Sequence, residues 1–244
     1  MIMNTEDFIY WKREGDIGIF SLSNGKGNYL EEPDFIDLDI FREWAEEPGL
    51  KGIIIRGIGR NFSAGANMVH LRELAQQEQV LSEKITKGKA FLDYIEQLEI
   101  PVIASINGVC FGGGLEIALA CHMRIASSGA LFAFPEINHG LIPGLGGVLR
   151  TVKLINNKAF EIILNGDMIN VDKALNIGLI DDYTKEKDAF GYAREKLIAL
   201  TQGRSAELIH YVMRALKNAE LLSKHEALQK ETEMFCQLAS QLEI

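Results

Sequence analysis

One short, wholly apolar run and two largely apolar ones do most to limit how this chain can fold. They are Ile53-Ile54-Ile55, residues 102–106 (VIASI) and residues 123–126 (MRIA), and stretches with helical periodicity separate them. An apolar run without alternation fits a strand covered on both faces. Connections long enough to hold a helix join parallel rather than hairpin strands. The first half is therefore expected to be α/β.

Around these runs the sequence predicts further elements. Residues 8–11 and 17–22 form a hairpin about Glu14-Gly15-Asp16. Pro33-Asp34 opens a helix to about residue 47, with Phe35, Leu38, Phe41 and Trp44 on one face. Helical spacing returns over 80–98, and Gly112-Gly113-Gly114 leads into a helix over 115–121. Beyond Gly144 strand signals fade, and 192–200, 206–216 and 226–242 read as amphipathic helices. No linker rich in Gly and Ser divides the halves, so one compact unit is expected: a core over 1–185 and a helical, oligomer-forming region over 186–244.

Charge narrows the partners. The 25 basic and 34 acidic residues leave a net charge of −9, which disfavours nucleic acid and anionic membranes. There is no apolar stretch of membrane-spanning length and no secretory leader, so a cytoplasmic protein is expected. Cys110, Cys121 and Cys236 lack metal or redox spacing, and the five histidines do not converge, so no metal is expected.

Three segments carry chemistry. Residues 61–68 (NFSAGANM) are small enough for a ligand to approach the backbone. Residues 107–116 (NGVCFGGGLE) place three glycines at a strand-to-helix junction, where unpaired N–H groups and the helix dipole favour negative charge. The spacing is not that of a dinucleotide fingerprint. Residues 132–147 carry Glu136 in an apolar, glycine-rich setting, as Glu116 is in the helix before it. Two carboxyls in apolar surroundings can divide proton donation and acceptance, if the fold brings them together.

The succession FSAGAN, then IPVIASINGVCFGGGLEIALACHMRIAS, then FAFPEINHGLIPGLGG resembles the crotonase (enoyl-CoA hydratase/isomerase) superfamily. The resemblance runs from about residue 8 to 182 and is strongest over 52–150. It implies a spiral of ββα units followed by helices that mediate trimers or hexamers. It implies an acyl-CoA or acyl-carrier-protein thioester as substrate, with no further cofactor. The backbone N–H groups of Ala66 and Gly113 would form an oxyanion hole. Glu116 would act on water and Glu136 on the α-carbon. Lys26 would lie near the CoA phosphates. Ala64, Ala66, Asn67, Met68 and Val69, with Gly112 and Gly113, would line the thioester. Both glutamates favour hydration of a 2-enoyl thioester or the reverse. Isomerase or decarboxylase chemistry, and a non-catalytic thioester-binding role, are the alternatives.

Four departures qualify this. Asn67 stands where relatives carry Asp. Phe134 precedes Pro135 and would either reshape the acyl pocket or pack. Residues 24–49 form a shorter segment whose acids read as a solvated helix face. The chain ends at Ile244, before the usual closing helix, which would suit a carrier-tethered acyl group.

Overall fold

A computed structural model of the chain describes residues 2–4 and 8–242. A seven-stranded sheet forms the main layer, in the order β1 (Ile2–Asn4), β2 (Ile9–Glu14), β3 (Ile17–Leu22), β4 (Gly52–Gly57), β5 (Val102–Ile106), β7 (Met123–Ser127) and β10 (Asp182–Thr184). β1, β2 and β3 are antiparallel neighbours; from β3 onward every pair is parallel.

The apolar run Ile53–Ile55 in β4 has a direct cause. Ile53 and Ile55 enter one core cluster with Phe20, Phe91 and Val102. Ile54 enters another with Ile19, Ile103, Ile125, Ala193 and Leu197. Successive side chains face opposite sides, and both sides are covered. The second cover is α8 (Phe190–Thr201), which supplies Ala193 and Leu197, so the first of the three C-terminal helices is part of the core. The other two, α9 (Ala206–Leu221) and α10 (Lys224–Ala239), pack on one another.

A smaller layer comprises β6 (Val109–Phe111), β8 (Leu131–Ala133) and β9 (Ile169–Asn170), with β6 and β8 parallel. Two isolated parallel bridges extend it, Ser63 to Cys110 and Leu30 to Ala66. Each turn of chain thus lays a strand in the main sheet, crosses the small layer and returns through a helix. β3, Leu30 and α1 (Leu38–Ala45) make one turn. β4, residues 63–66, α2 (Met68–Leu74) and α3 (Glu78–Gln97) make the next. β5, β6 and α4 (Gly113–Ala120) follow, then β7, β8 and α5 (Gly147–Ile155). This is the expected spiral of ββα units. α6 (Lys158–Asn165) and α7 (Val171–Ile177) lead on to β10.

Two local expectations are corrected. α1 begins at Leu38, not at Pro33, because the Asp37 carboxylate accepts from the N–H groups of Asp39 (2.8 Å) and Ile40 (3.4 Å) and so sets the first turn. The acids before it are not a solvated helix face. Glu32 and Asp34 bind Lys84 on α3, and Glu31 binds Asn67 and His70. Among the described residues no helix is long and apolar enough to cross a membrane.

Candidate active site

The small layer sets three crossings side by side. Ser63 pairs with Cys110, and Cys110 with Phe132. Just past these partners stand Ala66, Gly113 and Glu136, each on its own turn of the spiral. Glycines allow the close approach. A Cβ on Gly65 (φ +85°) would stand 2.8 Å from the Phe111 carbonyl oxygen and 3.3 Å from the Gly113 nitrogen. A Cβ on Gly112 (φ +48°) would stand 2.6 Å from Glu136 Oε1. The Gly112 N–H itself donates to the Ala133 carbonyl at 3.0 Å.

Two backbone donors are left over. The Leu30 N–H donates to the Gly65 carbonyl and the Asn67 N–H to the Leu30 carbonyl, so the Ala66 N–H between them points away from Leu30. Gly113 opens α4, where no carbonyl one turn earlier is available. Neither N–H has an acceptor among the described residues.

The two carboxyls sit in different surroundings. Glu116, in the first turn of α4, is only 2 % exposed. Its Oε1 accepts from the N–H groups of Leu145 (2.6 Å) and Gly147 (2.7 Å). Burial raises its pKa, while those two N–H groups and the positive charge of Arg150 pull the other way. Glu136 lies in a 3-10 turn over Pro135–His139. Its Oε2 is buried with no partner among the described residues. Burial, reinforced by the negative charge of Glu116, pushes it up to about 7. Phe134 before it is fully buried and packs in the core.

Arg150 on α5 escapes sequence reasoning. It is buried, donates to the Leu145 carbonyl (2.7 Å) and pairs with Asp93 (2.6 Å) and Glu96 (3.0 Å) on α3. It therefore fixes the loop whose N–H groups hold Glu116. The only available hint was an arginine one turn past Gly146-Gly147.

The remaining candidates border the Ala66 side. Lys26 is exposed; its carbonyl accepts from Asn61 Nδ2 (2.7 Å), and the next carbonyl, Gly27, accepts from the Ala64 N–H (2.8 Å). The Lys26 loop thus runs along Ala64. Asn67 caps α2 by accepting from the Val69 N–H (3.0 Å), which sets Met68 and Val69 in its first turn. His139 is exposed. His122 is structural: its Nδ1 accepts from the Val102 N–H (2.9 Å), and burial pushes it down to about 4. Of two cavities, about 590 and 900 Å³ in volume, neither is lined by the glutamates, but the smaller is walled by Leu30, Glu31 and Lys87. Leu30 also packs against Gly113, where a Cβ would lie 2.9 Å from its Cδ1.

Known proteins share this arrangement of chain. A solved structure of an enoyl-CoA hydratase from Thermoplasma volcanium matches with a TM-score of 0.81 at 26 % identity, over 97 % of this chain and 94 % of that one. A probable enoyl-CoA hydratase of Bacillus subtilis (strain 168) is 31 % identical over 223 residues, covering 90 % of this chain and 85 % of that protein. The fatty acid oxidation complex subunit alpha of Shewanella loihica is 36 % identical over 165 residues, 66 % of this chain but 23 % of that protein. A profile described as enoyl-CoA hydratase/isomerase matches residues 35–244, a span that takes in both glycine turns and both glutamates. With its ββα spiral, this chain is a crotonase-fold member of the enoyl-CoA hydratase/isomerase family.

Proposed function

We propose that the protein hydrates a 2-enoyl thioester reversibly, through Glu116, Glu136 and the N–H groups of Ala66 and Gly113. The observation that carries this reading is the contrast between the carboxyls. Glu116 is held by two backbone donors, whereas Glu136, at about 7, has an unpartnered oxygen. Hydration needs one carboxylate and one carboxylic acid in the same site.

In this scheme the thioester carbonyl accepts from Ala66 and Gly113. Ionised Glu116 takes a proton from water as the oxygen bonds to the β-carbon. The double-bond electrons move onto the carbonyl oxygen, where the two donors hold the enolate. Glu136 then delivers its proton to the α-carbon as the carbonyl re-forms. Every group is the chain's own. The thioester carrier is CoA or an acyl carrier protein, with Ala64 to Val69 along the pantetheine and Lys26 at a phosphate. We further propose a homo-oligomer, a trimer or hexamer, supported by exposed apolar side chains such as Phe160 (64 %) on α6 and Phe235 (70 %) on α10.

Crotonyl-CoA tests the scheme. Its conjugated absorbance is expected to disappear while the product gains the mass of one water. Glu116→Gln and Glu136→Gln are each expected to slow turnover by about 10²- to 10⁴-fold with thioester binding retained. Full activity in either variant would overturn the scheme. Conversion of a 3-enoyl thioester without water uptake would instead support isomerase chemistry, for which Glu136 alone would carry the proton.

A further inference from the structure

We propose that Glu31 is a positioning residue that holds the Ala66 N–H in register through Asn67. This rests on the reading above of Ala66 as a carbonyl-binding donor. The backbone alone holds Ala66 weakly: one isolated bridge gives two hydrogen bonds, one on each neighbour. The side chain of Asn67 adds a third tie. Its Nδ2 donates to Glu31 Oε2 at 2.7 Å while its Oδ1 accepts from the Val69 N–H.

Glu31 is a junction. Its Oε2 also lies 2.8 Å from His70 Nδ1 in α2, and its Oε1 accepts from Asn24 Nδ2. One carboxylate therefore ties three segments: the loop after β3, the residue after Ala66, and the first turn of α2. It stands in the wall of the 590 Å³ cavity beside Leu30, the residue that packs on Gly113. Donor and acceptor roles are fixed. Asn67 must give a proton to Glu31 and receive one from Val69, which an amide does and a carboxylate cannot. An aspartate at 67 would set two carboxylates against each other, where like charges repel.

The test uses the whole chain as Glu31→Ala, Asn67→Asp and the double variant Glu31→Gln/Asn67→Asp, in which the amide and the acid trade places. Two readouts are taken: kcat and KM for crotonyl-CoA hydration, and the carbonyl stretch of bound, carbonyl-¹³C-labelled butyryl-CoA by isotope-edited infrared spectroscopy. Each single variant is expected to lower kcat by about 10- to 100-fold, the scale of a small displacement at a reacting centre, with KM little changed. The carbonyl stretch should move toward that of free thioester, and the double variant should regain most of both losses. A folded Glu31→Ala with wild-type kcat and carbonyl stretch overturns the proposal. So does a double variant no better than Asn67→Asp. Should Glu31→Ala fail to fold, the comparison of Asn67→Asp with the double variant decides. A wild type that polarises the carbonyl but leaves crotonyl-CoA unhydrated sinks the hydration reading, and the infrared series then decides on Glu31. A wild type that does not polarise the carbonyl sinks both.

Discussion

At the scale of single residues, Glu116 and Glu136 are one side chain in two settings, and the difference sets a pH response. Hydration needs Glu136 protonated, so kcat/KM should fall as pH rises through about 7. It also needs Glu116 ionised. Burial raises that pKa, so the acid limb should lie above the ordinary carboxylate range. A bell-shaped profile for crotonyl-CoA is the expected outcome. Stability follows with its own sign. The folded state holds Glu136's proton more tightly than the unfolded chain, so stability is lost as pH rises from the unfolded value of 4.5 to about 7. Glu136→Gln stays neutral throughout and escapes that loss. By urea unfolding it should be more stable than the wild type at pH 8, and the gap should close by pH 4. The sequence already set both glutamates among apolar residues. It did not show that Glu116 is held by N–H groups from a loop far along the chain, because that contact exists only once α5 docks.

At the scale of elements, the long apolar strands were legible and the short ones were not. β4, β5 and β7 are buried on both faces, so their sequences are largely apolar, broken only by Arg56, Ser105, Arg124 and Ser127. β6 and β8 hold three residues each, too few for a period to show, yet these crossings deliver the site. The start of α1 was misplaced for a related reason. Pro33 is a plausible first residue, but Asp37 provides the cap and Phe35 packs on Phe91 from outside the helix. Two predictions belong here. Gly112→Ala meets both a left-handed backbone angle and the Glu136 carboxyl. It should cost about 1 kcal/mol or more in backbone strain and lower hydration sharply, measured by thermal unfolding and crotonyl-CoA turnover. Arg150→Met keeps the bulk but releases the Leu145 carbonyl, Asp93 and Glu96. It should cost about 1–3 kcal/mol, and the acid limb of the pH profile should shift as the Glu116 cradle loosens.

At the scale of the molecule, the α/β class was legible from spacing and the candidate site residues were proposed from resemblance, but the chain path that brings them together was not legible. The small layer brings Ala66, Gly113 and Glu136 together, and its bridges join residues 30 to 66 and 63 to 110, pairings that no local pattern announces. Leu149 on α5, Phe160 and Leu164 on α6 and Met168 just beyond it are exposed apolar side chains that a subunit interface would cover. Light scattering of the purified protein should therefore give a mass three or six times that of one chain. Charged substitutions at Phe160 and Leu164 should shift it toward the monomer.

The side-by-side register of Ser63, Cys110 and Phe132 has a consequence for how such a site changes over generations. The groups assigned to carbonyl binding are main-chain amides, which almost any replacement short of proline leaves in place. The groups assigned to proton transfer are side chains, each exposed to a single codon change on its own turn of the spiral. Alteration at 116 or 136 would redirect the enolate while the apparatus for making one persists. New reactions on this scaffold would then lie within reach of one mutation, whereas carbonyl activation would be weakened only through the contacts that hold those amides in place, such as Asn67 to Glu31.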